Sequence, residues 1–271
     1  MSGTKSPGAH RSRAIRLRGI EWTDWLRLIA LAATALMLIA AGQFARAADG
    51  GRASRSPNDH SLKIGIIGTG HIGGNLARLW SQAGYELMIS SRHPQELESL
   101  AHSLGPKVHV GTPREAAAYG NVVLISIPYG ALPQVGHELA PELAGKVVLD
   151  TGNPYPQRDG PMAYEARREG TGVASAKYLP GVKLVRAFNA IKYTDLASQA
   201  HRPGEPAAIP IAGDDPHALA IAERLVRAAG FEPVVVGNLS TARKFDVGTA
   251  VYVKLLTARE LRRALGLSPH G

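Results

Sequence analysis

The sequence predicts an α/β protein with a doubly wound, mainly parallel sheet, folded as a single domain that ends in a helical stretch. Two observations lead there. Between residues 62 and 237, short apolar runs alternate with segments of helical spacing, the pattern of parallel strands joined by crossover helices. The first apolar run also passes straight into a cluster of glycines and then a helix-like segment, reading SLKIGIIGTGHIGGNLARLW over 61–80. A chain of 271 residues with 45% hydrophobic content is long enough to bury a sizeable core, and it contains no internal repeat.

The residues before this domain follow a different logic. Lys5, Arg11, Arg13, Arg16, Arg18 and Arg27 form a basic stretch, and residues 28–45 (LIALAATALMLIAAGQFA) carry no charge. Ala45-Arg46-Ala47 has the small-x-small pattern of a signal-peptidase site, so 1–47 is expected to be a signal peptide or a membrane anchor. As a helix the uncharged run would be about 27 Å long, close to the thickness of a hydrocarbon core. Lys/Arg residues are denser before the run than after it, which orients the N-terminus inward and the domain outward. The expected location is therefore exported (periplasmic) or membrane-anchored. A cytoplasmic location is the alternative, if the run is a buried helix or the start is misplaced. Residues 48–61, rich in Gly, Ser and Pro, read as a linker and leave 62–271 as the folded domain.

That domain opens with Leu62, Ile64, Ile66 and Ile67, a short β-like run. Gly68-Thr69-Gly70-His71-Ile72-Gly73 follows and matches G-x-G-x-x-G, after which Ile72, Leu76, Leu79 and Trp80 recur at helical spacing. In this strand–turn–helix setting Gly68 permits the tight turn, Gly70 lets a dinucleotide pyrophosphate approach the backbone, and Gly73 lets the helix pack close to the sheet. The helix start adds free N–H groups and a partial positive charge. The next strand, YELMIS over 85–90, ends in Ser90-Ser91-Arg92-His93. An NAD site would place a carboxylate here for the ribose, but none occurs before Glu96. Ser91 followed by Arg92 suits the 2′-phosphate of NADP instead, because guanidinium offers a charged, planar fork.

Further strands are expected at 107–111, 121–128, 146–154, 183–190, 207–213 and 231–237. Thr112-Pro113 with Glu115 opens one helix as a capping box, and Asp215 opens another over 215–230. The last stretch, 238–266, reads as mostly helical with a break near Gly248. Ligands of parallel sheets lie beyond the carboxyl ends of the strands, so the chemistry is expected at 68–73, 91–92, 127–129, 150–158 and 188–192.

Composition excludes several functions. With no cysteine there are no disulfides, thiolate metal sites or cysteine nucleophiles. The net charge of +9 is uneven: residues 1–60 hold 9 Lys/Arg against 4 Asp/Glu, and the rest hold 22 against 18. The domain itself is thus only mildly basic and has no aromatic-interleaved basic stripe, so no nucleic-acid partner is expected. His102, His109, His137, His201 and His217 share no ligand spacing, and no metal is expected. No hydrolase or Tyr-x-x-x-Lys motif is present.

The stretches 64–94, 121–128, 147–155 (VVLDTGNPY), 184–191 (LVRAFNAI) and 209–215 (IPIAGDD) resemble the NADPH-dependent F420 reductase family, the F420-dependent NADP oxidoreductases, over residues 62–260. The cytosolic domain of the six-helix transmembrane ferric reductases is similar as well. The resemblance implies a Rossmann-type fold and an NADP-dependent oxidoreductase passing hydride between NADP(H) and a flavin-type acceptor such as coenzyme F420. It implies that Thr69, Gly70, His71 and Ile72 line the pyrophosphate and that Ser91 and Arg92 hold the 2′-phosphate. Ile127, Pro128 and Asn153 would flank the nicotinamide. The family also carries a Lys about one turn after the Arg; Gln95-Glu96 stand there in this chain, which implies a weaker preference for NADP. Hydride transfer between stacked rings rests on positioning, so no catalytic residue is assigned. Asp150, Asn153 and Asn189 are the positioning candidates, with turn capping as the alternative role of Asp150 and ion pairing the expected role of Arg186. A flavin, ferric or other small-molecule reductase of the same superfamily and a non-catalytic NADP-binding sensor stay open as alternatives, and a homodimer stays open as the assembly.

Overall fold

The computed structural model describes residues 62–268. The expected signal peptide or anchor (1–47) and linker (48–61) lie outside the described residues. Among the described residues no helix is long and apolar enough to cross a membrane.

The strands are β1 (Lys63–Ile67), β2 (Glu86–Ser90), β3 (Val108–Gly111), β4 (Val122–Ile125), β5 (Val147–Asp150), β6 (Lys183–Arg186), β7 (Ala208–Gly213) and β8 (Glu232–Gly237). Between and after them run α1 (His71–Gln82), α2 (Glu98–Leu104), α3 (Pro113–Tyr119), α4 (Leu132–Glu138), α5 (Ala140–Leu143), α6 (Pro156–Asp159), α7 (Pro161–Glu169), α8 (Thr171–Tyr178), α9 (Tyr193–Ser198), α10 (Pro216–Ala228) and α11 (Ala258–Leu265). All eight strands lie in one sheet, in the order β3-β2-β1-β4-β5-β6-β7-β8. The chain winds outward from β1 to β3 and then returns to β4 on the other side of β1. The winding therefore switches between β1 and β4, where the ends of two neighbouring strands diverge and leave a crevice.

The apolar runs form strands because both faces of the sheet are covered. Ile64 and Ile66 of β1, Val122 and Leu124 of β4, and Val147 and Leu149 of β5 face one core, which α1 and α10 complete. The alternate residues Ile67, Val123, Ile125 and Val148 face a second core with Tyr129, Leu132 and Ala174. The period of two thus splits each continuous run between two interiors. Trp80 joins α1 to α10: it is fully buried, and its indole N–H donates to the Leu225 carbonyl at 2.9 Å. Thr112 and Glu115 form the expected capping box, and Asp215 caps α10 by accepting from the Ala218 N–H at 2.8 Å.

Two expectations need correction, and one strand direction is added to the expected, mainly parallel sheet. The strands β4, β5 and β6 stop at Ile125, Asp150 and Arg186, so Ile127, Pro128, Asn153 and Asn189 stand on the loops beyond them. The strand β7 pairs with β6 antiparallel, the one such pair in the sheet. A reversal needs no crossover helix against the sheet, and residues 187–207 instead fold past the strand ends. Finally, 238–266 is less helical than its spacing suggests. It holds a 3₁₀ helix (Leu239–Phe245), an irregular stretch and then α11, because Gly237 and Gly248 adopt φ of +141° and +89°, outside helical geometry.

Candidate active site

The glycine turn after β1 answers two different demands. A Cβ on Gly73 would stand 2.1 Å from the Gly68 carbonyl oxygen, and one on Gly68 (φ +92°) would stand 2.3 Å from the Ser126 carbonyl oxygen. These two glycines let α1 and the turn close onto the sheet. A Cβ on Gly70 would meet nothing within 4 Å, so packing of the protein does not require a glycine there. Gly70 is the N-cap of α1 and makes no side-chain cap, which leaves the first N–H groups of the helix to an external acceptor.

The turn is tied to the end of β2. Ser90 O accepts from the Gly68 N–H at 3.1 Å and from the Thr69 hydroxyl at 3.0 Å, while the Ser90 hydroxyl donates to Ile66 O at 2.8 Å. The Thr69 O–H is thereby spent, leaving its backbone N–H for a ligand. Ser91 follows at once, its hydroxyl oxygen accepting from the His93 N–H at 3.0 Å. Arg92 is exposed and has no hydrogen-bond or ion-pair partner among the described residues. Glu96, in the 3₁₀ turn Pro94–Leu97, is exposed as well.

A cleft of about 580 Å³ opens beside this turn at the switch point. It brings together Gly70, His71, Ile72, Ile127, Pro128, Asn153 and Asn189 from the sequence-expected set. Gly68 and Gly73 stand behind it as the frame of the turn. Ser91 and Arg92 lie outside its lining. Asp150 does not reach it either: it is 1% exposed, and its Oδ1 accepts from the Gly152 N–H at 2.7 Å. Its Oδ2 pairs with Arg186 Nη1 at 2.7 Å, and Arg186 Nη2 donates to Gly152 O at 2.7 Å. Asp150 and the fully buried Arg186 therefore clamp the loop that carries Asn153. Tyr129 also turns away, into the core, where Ser175 donates to its hydroxyl at 3.2 Å and burial pushes its pKa up.

The wall facing the glycine turn is built from side chains that lie far apart in sequence. Asn153 Nδ2 donates to Asn189 O at 2.8 Å and lies 3.4 Å from the Tyr252 hydroxyl, which is hydrogen-bonded to the Tyr155 hydroxyl. Asn189 Nδ2 donates to Phe245 O at 3.3 Å. The carboxamide oxygens of Asn153 and Asn189 are buried with no donor among the described residues, a condition that ordered water or a ligand N–H relieves. Two residues here adopt left-handed backbone: Phe188 (φ +59°), just before Asn189, and Val253 (φ +53°), just after Tyr252. Such conformations cost about 1–3 kcal/mol each and persist where the surrounding structure imposes them. The Val253 N–H donates to Ala190 O at 2.9 Å and locks the two segments together. The pairing of Tyr155 with Tyr252 escapes sequence reasoning: Tyr155 falls within the expected stretch 150–158, but Tyr252 stands 97 positions away and in no motif.

Asp159 anchors the outer end of this wall. Burial acts to raise its pKa, but the Arg158 hydrogen bonds and the N–H groups of Tyr155 and Gly130 prevail and hold the carboxyl below its ordinary range. On the near side, His71 stacks on Tyr193 with ring centroids 4.3 Å apart, and Asn75 Nδ2 donates to Tyr193 O at 3.0 Å. Among the described residues no cluster of His, Asp and Glu could hold a metal ion.

The family model described as "NADP oxidoreductase coenzyme F420-dependent" matches residues 63–154, the stretch from β1 to the loop that the Asp150–Arg186 pair clamps. The likeness to this family thus lies in residues 63–154. The glycine turn fits NADP(H): its uncapped helix start and the open space at Gly70 are what a pyrophosphate requires. Metalloreductase STEAP3 of Rattus norvegicus is 29% identical over 212 residues, covering 76% of this chain and 39% of that protein. The chain thus spans about two fifths of that relative's length. A hypothetical protein of Sinorhizobium meliloti superposes with a TM-score of 0.61 at 24% identity, covering 72% of this chain and 95% of that one. A structure from Arthrobacter sp. FB24, named as a candidate F420-dependent NADP-reductase, gives 0.58 at 23% identity, covering 67% and 87%. At these identities the two structures show the shared fold.

Proposed function

We propose that the chain passes hydride between NADP(H) and a flavin-type acceptor such as coenzyme F420, within the cleft beside the glycine turn. The observation that carries this reading is the geometry at Gly70: a glycine that the fold does not need, on an uncapped helix start, opening onto a cleft large enough for two rings. Bound NADPH supplies the hydride from its nicotinamide ring. The backbone of Thr69, Gly70, His71 and Ile72 holds the pyrophosphate, with Gly68 and Gly73 shaping the turn. Ser91 and the unpaired Arg92 grip the 2′-phosphate. Ile127, Pro128 and Asn153 flank the nicotinamide, and Asn189 helps to fix the Asn153 amide. Asp150 acts at one remove, by holding Gly152. Positioning supplies most of the acceleration, since a correctly held pair of reactants needs little further help.

The partner in this reading is a small-molecule hydride acceptor, with no nucleic acid involved. Residues 1–47 export the protein or anchor it, and the assembly stays open, a homodimer included. The STEAP3 likeness supports a second reading, in which electrons pass on to a ferric chelate. Anaerobic NADPH oxidation by the purified full chain, with F420, FMN, FAD and ferric chelates offered in turn, separates the two. Turnover with a ring acceptor supports the first; turnover with the chelates alone supports the second. Cell fractionation with a C-terminal tag tests the location.

A further inference from the structure

The wall facing the glycine turn carries a donor that hydride transfer by positioning leaves unused. The rings of Tyr155 and Tyr252 both line the cleft, and their hydroxyls share one hydrogen bond. Two hydroxyls own two O–H bonds, and one of them is spent between the pair. Among the described residues their one further partner is Asn153 Nδ2, at 3.4 Å from the Tyr252 oxygen. That amide can only donate, because the Asn189 carbonyl accepts from the same nitrogen and so fixes its orientation. It occupies a lone pair of Tyr252 and no hydrogen. One O–H is left over at the cleft, with no acceptor among the described residues. The left-handed backbone at Val253 holds Tyr252 in this place.

We propose that Tyr155 and Tyr252 jointly present one O–H to the hydride acceptor, bonding a carbonyl oxygen or ring nitrogen conjugated to the atom that takes the hydride. This rests on the hydride-transfer reading above and narrows it: the acceptor is a conjugated carbonyl or azine ring, not a metal chelate. When such a ring takes hydride from NADPH, the nicotinamide C–H bond breaks and a bond to hydrogen forms on the acceptor. The displaced π pair then gathers on the conjugated oxygen or nitrogen, and NADP⁺ remains. The tyrosine O–H holds that pair without breaking, and solvent supplies the proton that neutralises it. Burial, and then the hydrogen bond with Tyr155, push the Tyr252 hydroxyl well above the ordinary tyrosine value. The pair is therefore a donor and not a base throughout the neutral range. The Arg167 guanidinium, 5.9 Å from the Tyr155 ring centroid, favours negative charge on a ligand beside it, whereas Arg158, at 5.1 Å, is paired with Asp159.

The test uses the full chain with Tyr155→Phe, Tyr252→Phe and the double change, with F420 and FMN as probes. The worse single variant should lose roughly 10- to 100-fold in kcat. The double variant should be no worse than that, because a single O–H is in play; independent packing roles would multiply. NADPH affinity, read by fluorescence titration, should stay within about threefold, and wild-type kcat should be flat from about pH 6 to 9. If the double variant keeps its kcat with both probes, or loses NADPH affinity in parallel with kcat, the tyrosine proposal fails and the hydride reading stands. A kcat that rises with pH across that range also overturns the proposal, since it marks a base, and so does one that falls, since it marks a donor that titrates there. If wild type oxidises NADPH with ferric chelate and with neither ring probe, the hydride reading fails, and the proposal with it.

Discussion

The two walls of the cleft are built on opposite principles. The glycine-turn wall is made of backbone: N–H groups at the start of α1, with side chains removed wherever something must come close. The facing wall is made of side chains: two carboxamides and two phenols, backed by a buried Asp150–Arg186 pair and held by left-handed backbone at Phe188 and Val253. The first wall suits a ligand part that never changes, such as a pyrophosphate, since main-chain geometry varies little with sequence. The second can be retuned one side chain at a time, which suits the part of the site that sets the acceptor. The contrast predicts that damage to the two walls separates into different measurements.

The largest effect should come from the buried pair behind the facing wall. Asp150→Asn leaves Arg186 charged and without its close partner in a dry interior, a loss of about 3–5 kcal/mol. The thermal midpoint should fall by roughly 6–20 °C. A midpoint within about 2 °C of wild type would show that the pair is solvated and that the wall does not depend on it.

The glycines sharpen the comparison within the other wall. Gly70→Val should lower NADPH affinity roughly 100-fold while costing less than about 1 kcal/mol of stability, the price of a poorer N-cap. Gly73→Val should do the reverse first, forcing α1 off the turn at a cost of about 1–3 kcal/mol or more. Calorimetry without ligand, followed by NADPH titration, distinguishes the two. Equal destabilisation by both substitutions contradicts the open space at Gly70.

At the adenosine end, Arg92→Ala should weaken NADPH by roughly 10- to 150-fold, as expected for one charge-assisted hydrogen bond, and leave NADH nearly unchanged. Equal weakening of both cofactors would remove Arg92 from the 2′-phosphate.

The smallest effect concerns acid. The folded pKa of Asp159 is depressed, so its stabilising contribution is fully present above the unfolded value, near 3.9. It is lost as pH falls through the folded value. Asp159→Asn should therefore flatten the acid limb of a stability profile below about pH 4 and leave neutral stability lower by a fraction of what Asp150→Asn costs. An unchanged acid limb would place the depression elsewhere.

How much of this could be read in advance follows from the same contrast. The glycine turn is contiguous, and each of its glycines has its own steric reason, so G-x-G-x-x-G in a strand–turn–helix setting was enough to locate it. The buried strands were legible because a parallel sheet covered on both faces demands unbroken apolar runs, and the caps at Thr112 and Asp215 carry their own local chemistry. The direction of β7 was not legible, since AIPIAG reads equally well as a parallel or an antiparallel strand. Tyr252 was hidden for a related reason: only the irregular chain between Phe245 and α11, bent at Val253, brings it to Tyr155. Helical spacing over 238–266 concealed that bend. Asp150 was legible as a strand-end carboxylate, but its distance from the cleft depends on Arg186, which reaches it across the neighbouring strand.

Trp80 offers an optical handle on this site. Its indole is sealed between α1 and α10, and its ring meets Phe188 edge-on with centroids 6.1 Å apart, while Phe188 itself lines the cleft. Trp22 and Trp25 lie outside the described residues, so Trp80 is the one tryptophan within them. Indole emits where reduced nicotinamide absorbs. In a Trp22→Phe, Trp25→Phe background, cofactor seated beside the glycine turn would quench this residue by resonance energy transfer, and oxidation to NADP⁺ would restore the light, so that one indole reports both occupancy and redox state in the same cuvette.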